Sequence, residues 1–162
     1  MLVIADSSPL IVLANIGAMH VLPSLFGQVT IPPQVAAELA QSNRPKIIRD
    51  FIANRPSWLN VQSPSLNEQI PLLQAGEIAA INLARELKAD LLLIDEVQGR
   101  RAAAVRKIPL TGTIGVLEMA AKTNLLDLKE AFDQVKQTDF WISPKLLDER
   151  LKMHKRQAEE GI

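Results

Sequence analysis

The 162-residue sequence predicts an α/β fold in which a mainly parallel sheet is covered by helices on both faces, giving three layers α/β/α. Two short runs, residues 2–5 and 91–94, are wholly apolar, as is typical of strands buried on both sides. Helical segments separate the strand-like runs, and this alternation predicts right-handed parallel crossovers. Hydrophobic residues make up 48% of the chain and charged residues 22%, so a substantial core is available.

Local signals predict the elements one by one. Ser8 followed by Pro9 predicts a helix start, with the hydroxyl as N-cap and proline at the first helical position. Pro32 and Pro33 open another helix, and residues 77–87 have the clearest amphipathic spacing. The predicted strands are residues 2–5, 28–31, 58–61, 91–94 and 108–110, and the other predicted helices are residues 9–16, 18–26, 43–52, 96–106, 114–122, 127–136 and 144–157.

A single domain is expected over residues 1–162, with a core of about residues 1–123 and a helical C-terminal extension over about residues 124–162. No repeat, long linker or low-complexity stretch interrupts the chain. A tight turn before Thr113 leads into a helix that we expect Thr113 to cap. Residues 140–142, an apolar Phe-Trp-Ile run, form either a short strand or an apolar plug.

Composition excludes several classes of protein. The chain has no cysteine, which excludes disulfides, zinc-thiolate sites, iron–sulfur clusters and thiol catalysis. It has only two histidines. Any bound metal is therefore expected to have oxygen ligands, as Mg²⁺ and Mn²⁺ prefer. Lys and Arg together number 18, as do Asp and Glu, and this zero net charge is compatible with self-association. No apolar run approaches the ~18 residues of a membrane span, so a cytoplasmic protein is expected.

Two aspartates directly follow the wholly apolar strands. Asp6 comes after residues 2–5 and Asp95 after residues 91–94, so both are expected at the carboxyl edge of the sheet, where open α/β folds form their sites. Glu38 and Glu77 are expected to join them. Four converging carboxylates repel one another strongly unless a cation lies among them. The cluster therefore predicts a site for one or two Mg²⁺ or Mn²⁺ ions, which activate water and stabilise charge on a phosphate.

Each acid also has a local explanation. Asp95, with Gln98 three residues later, fits a helix capping pattern. Glu77 lies in the first turn of a helix, where the helix dipole favours an acid, and Glu38 fits an exposed helix position. Asp6 has no capping role if Ser8 is the N-cap, so it is the strongest candidate of the four.

Four segments follow one another in a characteristic order and spacing: VIADSSPL at 3–10, IPPQVAAEL at 31–39, AGEIAAI at 75–81 and ADLLLID at 89–95. Together they resemble the PIN domain, a family of metal-dependent ribonucleases that includes the VapC-type toxins of toxin–antitoxin pairs. The resemblance covers roughly residues 1–123, with one difference: many relatives have aspartate where this chain has Glu77. Two further segments, residues 95–102 and 111–117, resemble one largely uncharacterised PIN subfamily.

The resemblance implies a divalent-metal-dependent endoribonuclease that hydrolyses RNA phosphodiesters with metal-activated water and without a covalent intermediate. It further implies a homodimer, and a toxin that a small antitoxin protein silences. The implied catalytic residues and metal ligands are Asp6, Glu38, Glu77 and Asp95, with Ser7, Glu96 and Thr113 beside them.

Arg100 and Arg101 follow Asp95 and are candidates for RNA phosphate binding, the alternative being a solvated helix face.

Two other functions are compatible with the sequence. The first rival function is a catalytically weak or inactive PIN-fold module that binds RNA or a protein partner. The second is a phosphohydrolase with Asp6 as nucleophile, which usually needs another aspartate two residues later, where this chain has Ser8.

Overall fold

The computed structural model describes residues 1–161 as a central sheet with helices around it. None of the helices in this range is long and apolar enough to cross a membrane. The strands are β1 (Val3–Ala5), β2 (Val29–Ile31), β3 (Leu59–Val61), β4 (Leu91–Leu93) and β5 (Leu110–Thr111). The helices are α1 (Ser7–Asn15), α2 (Val21–Phe26), α3 (Pro33–Leu39), α4 (Lys46–Ala53), α5 (Ala75–Leu87), α6 (Val97–Val105), α7 (Thr113–Lys122), α8 (Leu128–Lys136) and α9 (Pro144–Glu159).

The five strands form one sheet in the order β3-β2-β1-β4-β5, and every neighbouring pair is parallel. The predicted α/β class and parallel sheet are therefore confirmed. The chain builds outward from β1 to β3, then crosses to the other side of β1 to add β4 and β5. This reversal makes β1 and β4 neighbours, with Ala5 paired to Leu93, and creates the crevice in which such folds bind ligands.

Burial explains why the short strands hold together. All three residues of β1 and all three of β2 are buried, because helices cover the sheet on both faces. The core beneath α5 and α6 brings together Ile4, Ile81, Leu83, Leu92 and Ile94. Burying a side chain of this kind contributes about 1.5–3 kcal/mol, so this packing holds the carboxyl ends of β1 and β4 firmly in place.

The predicted cap of the first helix is wrong. Helix α1 begins at Ser7, and the residue in the N-cap position is Asp6, whose side chain makes no capping hydrogen bond. Ser8 lies inside the helix, and its hydroxyl donates to Asp95 Oδ2 at 3.0 Å. The local Ser-Pro signal was outweighed by a contact between residues 87 positions apart.

The chain divides into two compact units, residues 1–113 and a second unit that begins at Ile114. This division falls before the predicted core limit near residue 123, and the single-domain organisation stays a prediction. Within the second unit, Arg150 of α9 donates two hydrogen bonds to Glu118 of α7, at 2.8 and 2.6 Å. Residues 140–142 form no strand, so the predicted strand is wrong. Trp141 is 82% exposed and does not act as an apolar plug, whereas Phe140 and Ile142 are half-buried.

Candidate active site

The carboxyl edge of the sheet brings Asp6 and Asp95 together. Strands β1 and β4 are paired, and the backbone N–H of Asp6 donates to Leu93 O at 2.9 Å. Each aspartate follows the end of its strand, so both side chains emerge at the switch in strand order. Glu38 and Glu77 lie on α3 and α5, which pack against each other beside this edge. We refer to Asp6, Glu38, Glu77 and Asp95 as the acidic cluster.

Asp6 is the most deeply buried member, with only 4% of its surface exposed. Its Oδ1 atom is buried and has no hydrogen-bond partner. Burial raises the pKa of Asp6 to about 7, because the Ser7 N–H only partly offsets desolvation while the charges of the three other acids in the cluster add to it. Near neutral pH, Asp6 therefore exchanges its proton readily.

Glu38 faces the cluster and is not an exposed surface residue. It is half-buried, and its Oε2 atom accepts a hydrogen bond of 2.6 Å from the Ser7 hydroxyl. The predicted place of Ser7 beside the candidate ligands thus has a geometric basis. Gly76 provides the space for the carboxylate, since a Cβ atom there would lie 2.1 Å from Glu38 Oε1.

One carboxylate oxygen of Glu77 caps the N-terminus of α5, and the other is turned toward the acidic cluster. Its Oε1 atom accepts a hydrogen bond of 3.1 Å from the backbone N–H of Gln74, at the start of α5. Its Oε2 atom is buried and accepts no hydrogen bond from an N–H or hydroxyl group. Burial raises the pKa of Glu77 against the opposing Gln74 hydrogen bond, and the charge of Glu96, a hydrogen bond with the Glu96 carboxyl group and the charge of Glu38 add to the rise. The local explanation therefore accounts for only half of this side chain.

Asp95 is held by three hydrogen-bond donors and does not cap α6, the helix that follows it. Its Oδ1 atom accepts from the Thr113 N–H at 2.7 Å, and its Oδ2 atom accepts from the Thr113 hydroxyl at 2.7 Å and the Ser8 hydroxyl at 3.0 Å. The predicted capping role of Thr113 is replaced by this contact, because α7 begins at Thr113 itself. The three donors fix the orientation of the carboxylate at the sheet edge.

Glu96 takes the capping role that was considered for Asp95. Its side chain accepts a hydrogen bond of 2.8 Å from the backbone N–H of Gly99 at the N-terminus of α6. Burial opposes ionisation of Glu96, but the backbone N–H groups of Gly99 and Gln98 outweigh it, so its pKa is lowered. Glu96 is exposed and interacts electrostatically with Glu77, and it lies beside the cluster as an ionised neighbour.

The contact between Thr113 and Asp95 gives a first testable prediction. We expect Thr113→Val to lower the free energy of unfolding by about 1–3 kcal/mol, because a charged acceptor loses its hydroxyl donor in a buried position. Thr113→Ser keeps the hydroxyl and is the matched control. Urea unfolding followed by circular dichroism measures both. Equal midpoints for the valine and serine variants would show that the hydroxyl does not support Asp95.

Three glycines border the acidic cluster, and sequence reasoning assigned them no role in the site. A Cβ atom on Gly99 would lie 3.0 Å from Glu77 Oε2, and one on Gly112 would lie 2.6 Å from Asp95 Oδ1. Together with Gly76, each therefore leaves room for one carboxylate. Glycine destabilises a helix by about 1 kcal/mol relative to alanine, so glycines at positions 76 and 99, inside helical patterns, were an available signal.

The donor set fits a hard divalent cation. All four members of the cluster offer carboxylate oxygens, which suit Mg²⁺ and Mn²⁺. Asp6 Oδ1 and Glu77 Oε2 are buried without a partner, and a buried unpaired carboxylate oxygen is costly. Within residues 1–161, no three acidic or histidine side chains are arranged to hold a metal ion as they stand. Glu38 and Asp95 are instead held by the hydroxyls of neighbouring residues.

The two candidate RNA-binding arginines differ in burial and in their contacts within the protein. Arg100 is half-buried and donates from Nη1 to Ile94 O at 2.9 Å, at the end of β4. Its guanidinium therefore supports the backbone that leads to Asp95. Arg101 is exposed on α6. Of the two, Arg101 is the one free to contact a phosphate in solution.

Comparison with known proteins adds one family match. The model of the family DUF3368, described as a PIN domain, matches residues 2–156 and so covers nearly the whole chain. Neither the curated proteins nor the solved structures contain a match to this chain.

Proposed function

Since the chain belongs to the PIN domain family, whose members are generally nucleases, we propose that it is a divalent-metal-dependent endoribonuclease. Its substrate is RNA, and hydrolysis of a phosphodiester proceeds by attack of water without a covalent intermediate. The family supports nuclease chemistry in general, and the oxygen-only donor set at the sheet edge supports the dependence on a metal.

The observation that carries the proposal is the pair of buried, unpartnered carboxylate oxygens, Asp6 Oδ1 and Glu77 Oε2. In most folded proteins a buried polar atom has a hydrogen-bond partner, and exceptions often mark an ion-binding or catalytic position. Here both exceptions lie on acids whose pKa values are raised, chiefly by burial. A divalent cation held by these acids would provide the missing partner and remove the cost of burial.

The four acids of the cluster would hold the cation, and three neighbouring hydroxyl groups orient two of these acids. Asp6, Glu38, Glu77 and Asp95 would hold the cation, which when bound supplies activation of water and stabilisation of negative charge on the phosphate. The Ser7 hydroxyl orients Glu38, and the Thr113 and Ser8 hydroxyls orient Asp95. At neutral pH the proton on Asp6 leaves when the cation binds, so we expect metal uptake to release a proton.

The wider physiology is also a proposal. Arg101, which is exposed on α6, is the proposed contact to RNA phosphates, and Arg100 assists by holding the backbone that leads to Asp95. We propose that the chain is the toxin of a toxin–antitoxin pair, acts as a homodimer and is silenced by a small antitoxin protein. Induced expression of the wild-type chain, but not of a Glu77→Gln variant, is expected to arrest bacterial growth.

The alternative is a catalytically weak or inactive PIN-fold module that binds RNA or a protein partner. Two observations favour it. No three acidic side chains within residues 1–161 are arranged to hold a metal ion as they stand. In addition, the family resemblance of the sequence implies aspartate at the position of Glu77, and the longer side chain of this glutamate changes the reach of one carboxylate.

Cleavage of a panel of structured RNAs with Mn²⁺ or with EDTA tests the proposal. The decisive variant is Glu77→Gln, which keeps an oxygen to accept the Gln74 N–H and replaces the unpartnered oxygen with an NH₂ group. We expect Mn²⁺-dependent cleavage by the wild type and a loss of at least about 10²-fold in the variant, the scale of one lost electrostatic contact in a transition state. Glu149→Gln, at an exposed position of α9, is the control and is expected to cleave normally.

Each other outcome has a definite meaning. Absence of cleavage by the wild type across the panel, combined with retained RNA binding, would replace the nuclease with the binding module. Equal cleavage by the wild type and by Glu77→Gln would remove the acidic cluster from the reaction and indicate a contaminating nuclease.

A further inference from the structure

A polar groove opens directly beside the acidic cluster. It has a volume of about 390 Å³, which lies within the usual range for small-molecule and nucleotide sites. Helix α3, the residues that follow it and the start of α5 form its walls. We call it the amide groove, after the polar residues that line it: Gln34, Glu38, Gln41, Arg44 and Gln74.

Glu38 belongs to both the groove and the acidic cluster. Its Oε2 atom accepts from the Ser7 hydroxyl on the cluster side, while the residue also lines the groove. A ligand in the groove therefore lies next to any phosphate held at the cluster. This continuity distinguishes the amide groove from four other depressions of the described residues, whose walls contain no member of the acidic cluster.

The groove presents hydrogen-bonding groups that the protein itself does not use. The side chains of Gln34 and Gln41 are exposed and make no hydrogen bond within residues 1–161. Each amide offers a donor and an acceptor side by side, which is the pattern found on the edge of a nucleobase. Neither glutamine is needed for packing, so their grouping around one cavity indicates a binding role.

Arg44 adds a fixed planar cation to the groove. It is half-buried, and its Nε–H donates to the Glu38 carbonyl oxygen at 3.2 Å, while its own carbonyl oxygen accepts from Arg49 Nε at 2.9 Å. The first contact orients the guanidinium, the second holds the Arg44 backbone, and the terminal guanidinium nitrogens have no partner in the described residues. A guanidinium plane is a common stacking surface for an unpaired base in RNA.

We propose that the amide groove binds one unpaired base of the RNA next to the scissile phosphate, so that Gln34, Gln41 and Arg44 determine which base is preferred at that position. The inference rests on the proposed function, since it specifies which RNA reaches the acidic cluster. A base stacked within a duplex cannot turn its edge into such a cavity, whereas a base in a loop or at an end can. The amides of Gln34 and Gln41 contact the base edge, and Arg44 stacks on its face.

The test combines a double substitution with a matched control. Gln34→Ala/Gln41→Ala removes both free amides, and Gln134→Ala/Gln137→Ala removes two exposed glutamines at α8 instead. Thermal melting must first show that both variants fold as the wild type does, which is expected because all four side chains are exposed. The probe is a library of single-stranded ten-nucleotide RNAs with Mn²⁺, with the same sequences annealed to a complement for comparison.

We expect the wild type to cleave single strands in preference to duplexes and to favour certain bases at one position beside the cut. The Gln34→Ala/Gln41→Ala variant is expected to reduce that base preference at least tenfold, while the control keeps it. An unchanged cleavage profile in this variant would overturn the role of the groove and leave the nuclease intact.

A binding measurement separates failure of the groove from failure of the nuclease. Fluorescence anisotropy with the same labelled RNAs is carried out in a Glu77→Gln background, which needs no turnover. There we expect the two groove substitutions to raise the Kd for single-stranded RNA at least tenfold and the control pair to leave it unchanged. A Kd that the groove substitutions do not alter would overturn the inference whether or not the wild type cleaves RNA.

Discussion

Replacing Asp6 with asparagine is expected to make the metal-free protein more stable at pH 7.5 and to abolish the proposed metal-dependent cleavage. The stability gain arises because burial, assisted by three neighbouring acids, raises the pKa of Asp6 to about 7 in the folded chain from 3.8 in the unfolded chain. Between these values the folded chain binds the additional proton, so the free energy of unfolding falls as the pH rises. The loss is complete above pH 7 and amounts to about 4 kcal/mol.

The measurement is urea unfolding of the metal-free protein from pH 4 to pH 8. The wild type is expected to lose stability across this window, and Glu77 adds a loss of the same sign because its pKa is also raised. The Asp6→Asn variant is expected to have a flatter profile and to exceed the wild type at pH 7.5. Asp50→Asn, which removes an exposed carboxylate from α4, is the control and is expected to keep the wild-type slope. Identical slopes for the wild type and Asp6→Asn would contradict the burial of a protonated Asp6.

Added Mn²⁺ is expected to make the wild type more stable than the Asp6→Asn variant, which reverses their order in the metal-free state. A cation that binds only the folded state stabilises it by RT ln(1 + [L]/Kd), about 2.7 kcal/mol at a hundredfold excess over Kd. We expect the Tm of the wild type to rise with millimolar Mn²⁺ and that of Asp6→Asn to remain nearly constant, since the asparagine lacks the charge. A wild-type Tm that Mn²⁺ does not change would argue against a metal site at the acidic cluster.

Gly76→Ala is expected to lower nuclease activity by about 10²-fold, the typical cost of misplacing a functional group by about 1 Å. The new Cβ atom would lie 2.1 Å from Glu38 Oε1 and 2.8 Å from its Cδ atom, far inside contact distance. The end of a flexible side chain can move, so the carboxylate is displaced from its place beside Ser7 while the fold persists. Alanine is also the better helix former at this position.

The combination of normal stability and lost activity identifies this mechanism. Thermal melting, the Mn²⁺-induced rise in Tm and RNA cleavage are measured together on Gly76→Ala. Gly99→Ala is the informative comparison, because its Cβ would lie 2.6 Å from the core atom Ile94 Cδ1 and is expected to lower the Tm as well. Full activity in Gly76→Ala would show that the position of Glu38 does not matter for catalysis.

Much of the fold follows from local sequence patterns. The apolar strands β1 and β4, the helix after Pro32 and the amphipathic helix near residues 77–87 lie where their patterns predict, with ends shifted by at most two residues. Helix ends are set by contacts at the cap, and those contacts come from elsewhere in the chain. Ser8 illustrates this, since its hydroxyl bonds Asp95 and the predicted cap at Ser8 is not formed.

The candidate site was predictable only in part, for the same reason. An acid directly after a buried strand is placed by the strand itself, which explains why Asp6 and Asp95 were identifiable. The sequence alone could not show whether Asp95 caps α6 or joins the acidic cluster, because the adjacent Glu96 can cap the same helix. In the structure, Glu96 accepts the hydrogen bond from the Gly99 N–H at the start of α6.

The sequence by itself determined the parallel α/β class, the apolar strands and the two aspartates that end them, because each depends on residues adjacent along the chain. Only the tertiary structure decided that Glu38 lies opposite Gly76, that Thr113 and Ser8 hold Asp95, and that an amide groove adjoins the cluster. These contacts depend on the strand order β3-β2-β1-β4-β5 and on the packing of α3 against α5. Strand order and helix packing are set by the burial of the whole core, which no local pattern of residues encodes.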